Sequence, residues 1–262
     1  VNSKKQNDIK IVNTNTFIFE DEQKKINKRI MGTALITGGK GYLIGLLKPE
    51  LTKRFDKIIY IDSDIRDSKI VSMYRSFKNV DCIIHFASPS DKFDFQNEVK
   101  TSQTMIDGTI NIVQLAKALK CKLIFASSMA TFQEIPVKIN NLGFSAPTVD
   151  IEEFNNYAVF KLAMERYIRS NIKEYLILNI PRVYDSTRNK GLIFQLKNGS
   201  FVGDKDQIVN FIINKENFIK QTCQVTKMFL NNLISKKSIY RYDNLQSYSI
   251  VELETMLALG WF

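Results

Sequence analysis

The fold is decided by residues 33–45, Thr33-Ala-Leu-Ile-Thr-Gly-Gly-Lys-Gly-Tyr-Leu-Ile-Gly45, a short apolar run that ends in glycines and leads into a helical stretch. Glycines after a strand allow a tight turn and let backbone N–H groups at a helix N-terminus approach a pyrophosphate. Outward from this stretch, Lys57–Asp62, Val80–Ala87, Lys122–Ser127 and Tyr175–Pro181 are further continuous apolar runs. Strands apolar on both faces are what a parallel sheet covered by helices requires. Residues 103–120 space Ile106, Ile110, Val113, Ala116 and Leu119 by three or four. Residues 157–169 do the same with Phe160, Ala163, Met164 and Tyr167, and each spacing predicts a helix with one buried stripe. Strands alternating with helices of this length predict βαβ units in a doubly wound α/β sheet.

Composition agrees. The 262 residues are 44% hydrophobic and 24% charged, which supports a sizeable core and excludes a disordered or collagen-like chain. No apolar run reaches the roughly 18–20 residues of a membrane span, and the lysine-rich N-terminus lacks a signal-peptide core. A cytoplasmic protein with no membrane partner is expected. Cys82, Cys121 and Cys223 are scattered and His85 is the one histidine, so neither a disulfide framework nor a metal site is expected. The formal charge of +10 suits a polyanion such as a nucleotide diphosphate. No aromatic-basic motif or recognition helix stands out, so no nucleic-acid partner is expected. Residues 1–30 are polar apart from Ile11, Val12, Phe17 and Ile18, and read as an extension ending in a short helix. Beyond about residue 185 the alternation fades, which predicts a small lobe at the carboxyl edge of the sheet.

Two groups of residues carry chemistry. Asp62, at the end of the second strand, can accept hydrogen bonds from an adenosine ribose and would repel a 2′-phosphate, which favours NAD over NADP. Ser127-Ser128 follows a later strand, and Tyr157-Ala-Val-Phe-Lys161 comes about thirty residues further on. Tyr157 and Lys161 share a helix face, and a nearby ammonium draws a phenol down from about 10 toward neutrality. Tyr74 and Lys78 repeat the spacing; only its placement after the Ser-Ser strand favours Tyr157. His85 lies within a strand and reads as a satisfied core histidine.

The ordered set resembles the extended short-chain dehydrogenase/reductase family, in particular its nucleotide-sugar epimerases, dehydratases and reductases. The resemblance spans residues 31–262 and rests on TGGKGY (37–42), DIRD (64–67), IIHFAS (83–88), GTINIVQLAK (108–117), FASSMATF (125–132) and YAVFK (157–161). It implies a Rossmann-like, NAD-binding domain at 31–185 and a small, shortened C-terminal substrate-binding lobe at 186–262, partly interleaved with it. It implies NAD as cofactor and a nucleotide-diphosphate sugar as substrate. A homodimer would form through the helices that follow Gly108 and precede Arg169. Tyr157 becomes the base, Lys161 its pKa tuner and ribose anchor, and Ser128 the third catalytic residue, touching substrate. Gly38, Gly41, Tyr42 and Leu43 would hold pyrophosphate and Asp62 the adenosine ribose. Asp64 and Ile65 would sit at adenine, with Phe86, Ala87 and Ser88 lining the cofactor.

Departures from the pattern are as informative. Ile44 stands where the third glycine falls, and Met105 where an asparagine is usual. The segment between the second strand and DIRD is nearly absent, so one edge crossover of the sheet is expected to be lost. Arg182 takes the place of a substrate-side asparagine and reads either as a grip on a diphosphate or as a surface arginine. Met129 and Ala130 follow Ser128 where the family's dehydratases and decarboxylases carry an acid. A 4-epimerase is therefore the leading expectation, a 4-ketoreductase the alternative and elimination the weaker one. A catalytically degenerate nucleotide-binding module is the reading from outside enzymology.

Overall fold

The architecture comes from a computed structural model that describes residues 10–12, 32–89, 98–132 and 156–260. The apolar runs form parallel strands β2 (Thr33–Thr37), β3 (Lys57–Ile61), β4 (Val80–His85), β5 (Lys122–Ser128) and β6 (Tyr175–Ile180). With β1 (Lys10–Val12) and β9 (Lys237–Arg241) they make one sheet in the order β1-β9-β6-β5-β4-β2-β3. Side chains alternate between its faces. Ala34, Ile36, Ile84, Ile124 and Leu178 enter the core beneath α1 (Tyr42–Arg54) and α7 (Lys215–Leu230). Leu35, Ile83, Leu123, Phe125 and Ile177 enter the core beneath α2 (Lys69–Tyr74), α4 (Asp107–Leu119) and α5 (Asn156–Asn171). Each fully buried Ile or Leu contributes about 1.5–3 kcal/mol. The strand order turns between β4 and β2, and ligand crevices open beyond the carboxyl ends of strands at such a switch.

The second lobe is a three-stranded sheet, β10-β8-β7, from β7 (Arg182–Tyr184), β8 (Ile208–Asn214) and β10 (Gln246–Ser249). It packs with α6 (Leu192–Lys197) and α8 (Ile250–Ala258) around Leu196, Ile212, Ile250 and Leu253. The chain returns from this lobe to place β9 beside β6 in the main sheet.

Several expectations are refined. Lys10–Val12 is a strand parallel to β9, so this part of the N-terminal extension joins the far edge of the sheet. The short helix expected to end the extension lies outside the described residues. Among the described residues β3 is the last strand on its side, as the nearly absent crossover predicts. The helix expected over 103–120 divides at Ile106 into α3 (Glu98–Met105) and α4. Its buried face centres on Thr109, Ile112, Val113 and Ala116, leaving Ile106, Ile110 and Leu119 half-buried. In α5 the stripe is rotated further. Lys161, Met164, Glu165 and Ile168 are buried, while Ala163 is exposed and Phe160 and Tyr167 are half-buried. Among the described residues no helix is long and apolar enough to cross a membrane.

Candidate active site

The glycine turn between β2 and α1 builds the first half of the site. Gly38 has φ +74, and a Cβ there would lie 2.7 Å from the Ala87 nitrogen. A Cβ on Gly41 would stand 3.0 Å from the Gly38 oxygen, to which the Gly41 N–H donates at 2.8 Å. Backbone therefore occupies the space that side chains would fill. Gly41 caps α1 without a side-chain hydrogen bond, so the Tyr42 and Leu43 N–H groups begin a helix whose first donors have no intrahelical acceptor. This is a cradle for an anion, and it suits a dinucleotide's pyrophosphate. Phe86 and Ala87 lie against Gly38, with the Ala87 N–H donating to Thr37 Oγ1 at 3.1 Å. Ser88 follows, half-buried. Ile44 is buried in the core beneath α1, and the space around Gly45 is open.

Asp62 sits exposed beyond β3, with the Lys40 ammonium 3.8 Å away, and is available to a ribose. Asp64 accepts a two-pronged interaction from Arg66, which pulls its carboxyl down to about 2. Ile65 is in the core, packed on Gly108, so only its backbone can face a ligand. The Asn111 amide donates to the Ile65 and Arg66 carbonyls and fixes this turn.

The second half lies at the carboxyl end of β5 and the first turns of α5. The Tyr157 and Ser128 hydroxyls are hydrogen-bonded to each other, and Ser128 Oγ accepts from the Ala130 N–H at 3.1 Å. Lys161 is buried, donates to the Ala126 carbonyl at 2.7 Å, and lies over the rings of Phe125 and Tyr157. Burial lowers its ammonium to about 7, against the opposing charge of Glu165. The phenol of Tyr157 departs from the sequence expectation. Burial pushes it up, and the Ser128 hydrogen bond and the Arg182 charge oppose that rise without reversing it. Lys161 Nζ lies 5.7 Å from the centroid of the Tyr157 ring, and the expected lowering comes from Ser128 and Arg182 in its place. Arg182 opens β7 as an exposed residue whose charge is felt at Tyr157.

Sequence reasoning passed over the partners of three buried polar residues. Glu165 is a buried carboxylate one turn beyond Lys161; its Oε1 accepts from Ser127 Oγ and from Asn179 Nδ2 at 2.8 Å. The Tyr157, Lys161, Glu165 spacing was its signal. His85 is buried and holds Thr37 and Thr109 at its two ring nitrogens, at 2.7 and 3.1 Å, and burial keeps it neutral by lowering it to about 3. It is the satisfied core histidine that the sequence suggests, with the added task of tying the glycine turn to α4. Asp185 is buried and accepts from the Tyr42 hydroxyl at 3.0 Å and from Lys215 Nζ at 3.0 Å. That pair ties the first residue of α1 to α7.

Residues 34–191 match the NAD dependent epimerase/dehydratase family. No curated protein matches the chain by sequence. Among solved structures it is similar to the UDP-N-acetylglucosamine 4-epimerase of Methanobrevibacter ruminantium M1, at 17% identity and a TM-score of 0.69, covering 88% of this chain and 83% of that one. It is similar to the UDP-glucose 4-epimerase of Thermus thermophilus in complex with NAD, at 17% identity and a TM-score of 0.66, covering 87% and 83%. A double mutant of the dTDP-glucose 4,6-dehydratase DesIV of Streptomyces venezuelae, with NAD bound, gives 16% identity and a TM-score of 0.66, covering 87% and 81%. At these identities the likeness shows the fold.

Proposed function

We propose, from the premise that the chain belongs to the NAD dependent epimerase/dehydratase family, that it is an NAD-dependent nucleotide-sugar 4-epimerase. NAD is its cofactor: the glycine cradle, Tyr42 and Leu43 hold the pyrophosphate, Asp62 takes the adenosine ribose, and Phe86, Ala87 and Ser88 flank the cradle. NAD supplies, when bound, an acceptor for the C4 hydride and its return to the other face of the sugar. The chain's own residues handle the proton. Tyr157 takes it from the sugar 4-hydroxyl and gives it back after the sugar has turned, and Ser128, already bonded to Tyr157, orients that hydroxyl. Lys161 anchors the nicotinamide ribose, and the charge of Arg182 together with the Ser128 hydrogen bond favours the phenolate against the cost of burial. Arg182 also grips the diphosphate of the substrate.

The observation that carries epimerisation over elimination is the sequence after Ser128. Met129 is buried and Ala130 half-buried, and neither can give or take a proton where loss of water would need one. The same reading includes a homodimer through α4 and α5. Gln114, Lys117, Ala163 and Arg166 face outward there, and Gln114 Nε2 donates to Tyr167 Oη at 3.4 Å across the two helices. A cytosolic setting agrees with Cys82, Cys121 and Cys223 as free thiols.

The test is to incubate the NAD-loaded protein with UDP-glucose and UDP-N-acetylglucosamine and follow the products by NMR. Appearance of the C4 epimer with no net NADH formed or used is the expected result. Steady NADH consumption on a 4-keto sugar would assign a reductase, and a 4-keto-6-deoxy product a dehydratase. NAD binding without turnover of any sugar nucleotide would leave a binding module.

A further inference from the structure

The turn after β7 holds a cation that the proposed chemistry leaves unused. Asp185 satisfies its carboxylate with the Tyr42 hydroxyl, the Thr187 N–H at 3.0 Å, the Thr187 hydroxyl at 2.7 Å and Lys215 Nζ at 3.0 Å. Arg188, whose own N–H donates to the Asp185 carbonyl at 3.1 Å, takes no part in that ion pair. Its guanidinium carbon lies over the Tyr42 ring, 4.6 Å from the centroid. Its Nε is buried and has no hydrogen-bond acceptor among the described residues. Tyr42 is the first residue of α1, next to Gly41 of the cradle. An arginine fork therefore lies against an aromatic ring beside an anion cradle, with a buried donor still to be satisfied and no ion pair among the described residues.

We infer that Arg188 is a second-lobe residue for the cofactor, pairing with the pyrophosphate that the cradle receives. A guanidinium offers parallel donors matched to phosphate oxygens, which a tyrosine face alone does not require. Stacking on Tyr42 holds the fork in place before the ligand arrives, so less freedom is lost on binding. The Tyr42 hydroxyl and Asp185 then act as its mount, because they fix the ring on which the fork lies. The inference rests on the NAD reading of the cradle and adds to it a contact from outside the glycine turn.

The experiment is titration calorimetry on the full chain, freed of any retained nucleotide, with NAD, ADP-ribose, adenosine and UDP. In Arg188→Gln, affinity for NAD and for ADP-ribose falls by about 10- to 100-fold, the range of a lost charge-assisted hydrogen bond. Adenosine, which has no phosphate, binds as to the parent chain. Added salt weakens NAD binding less in the variant than in the parent. Arg188→Lys keeps the charge without the fork and gives a smaller loss with the same selectivity; it serves also if Arg188→Gln does not fold. Unchanged NAD affinity in a folded Arg188→Gln overturns the inference, as does an equal loss on adenosine, which would mean that Arg188 only shapes the cradle. A loss confined to UDP overturns it too, because the fork would then serve the substrate. Failure of the parent chain to bind NAD or ADP-ribose is a separate result and overturns the NAD reading itself.

Discussion

Helices α4 and α5 cover the same face of the sheet and contribute to the same core, yet they bury different chemistry. From α4 the buried side chains are Thr109, Ile112, Val113, Leu115 and Ala116; from α5 they are Ala158, Lys161, Met164, Glu165 and Ile168. Burying an ammonium and a carboxylate on one helix costs free energy unless each is hydrogen-bonded. Here each is, Lys161 by the Ala126 carbonyl and Glu165 by Ser127 and Asn179. One helix buries no charge, and its one buried polar side chain, Thr109, is paired with His85. The other departs from the packing rule where a site is expected to do so.

The largest effect separating the two should come from Tyr157→Phe, which keeps the ring in place and removes the proton carrier. Turnover of the accepted sugar nucleotide is expected to fall by about 10²- to 10⁴-fold. NAD affinity and melting temperature should stay close to those of the parent chain, measured by calorimetry. A fall in melting temperature as large as that of a core mutant would make Tyr157 a packing residue and erase the contrast. The mirror experiment is Ile112→Ala on α4. A fully buried isoleucine cut to alanine should cost about 2–5 kcal/mol in denaturant unfolding. The NAD affinity of the folded fraction should be unchanged.

The same contrast explains what could be read from the sequence. The continuous apolar runs placed β2 to β6 within a residue or two, because a doubly covered parallel strand must be apolar throughout. The three- and four-residue spacing located both helices but not their rotation. On α5 a count of apolar positions pointed to Phe160, Ala163, Met164 and Tyr167, whereas the helix turns Lys161 and Glu165 inward. Periodicity cannot anticipate a buried charge, since its partners come from other strands: the Ala126 carbonyl and Ser127 from β5, Asn179 from β6. The mount at Asp185 was hidden for the same reason. It joins Tyr42 to Asp185 across 143 positions and Lys215 to it across 30.

A third prediction uses the one titrating link between α4 and the glycine turn. His85 is neutral in the folded chain, held down to about 3 by burial, and it bridges Thr37 to Thr109. In the unfolded chain it titrates near 6.5, so below that pH the unfolded state binds a proton that the folded state refuses. Stability from this group is complete above about 6.5 and should fall by about 1.4 kcal/mol per pH unit as the pH drops toward 3. Urea midpoints measured at several pH values would show the slope, and His85→Gln should flatten it. A slope that survives in His85→Gln would assign it to carboxylates elsewhere.

The smallest effect, and the sharpest for α5, is expected from Glu165→Gln. The amide keeps an oxygen for Ser127 and Asn179, so packing and hydrogen bonds are preserved while the charge is lost. Lys161 is faced by Tyr157 and Glu165 from its own helix and by His85 from β4; Arg241 of β9 lies within the field of Glu165. His85 is neutral, and Glu165 is the group that raises the Lys161 pKa, from below toward the value of about 7. Without that charge the ammonium should give up its proton at lower pH. If the ammonium is the working form, activity is lost as pH rises through its pKa, and this alkaline limb should move toward acid by about one unit. An alkaline limb unmoved in Glu165→Gln, at unchanged stability, would show that the buried carboxylate only fills space, as the apolar residues of α4 do. A shift with no loss of melting temperature would instead tie the cost of burying Glu165 to the charge state of Lys161, which packing on α4 never has to meet.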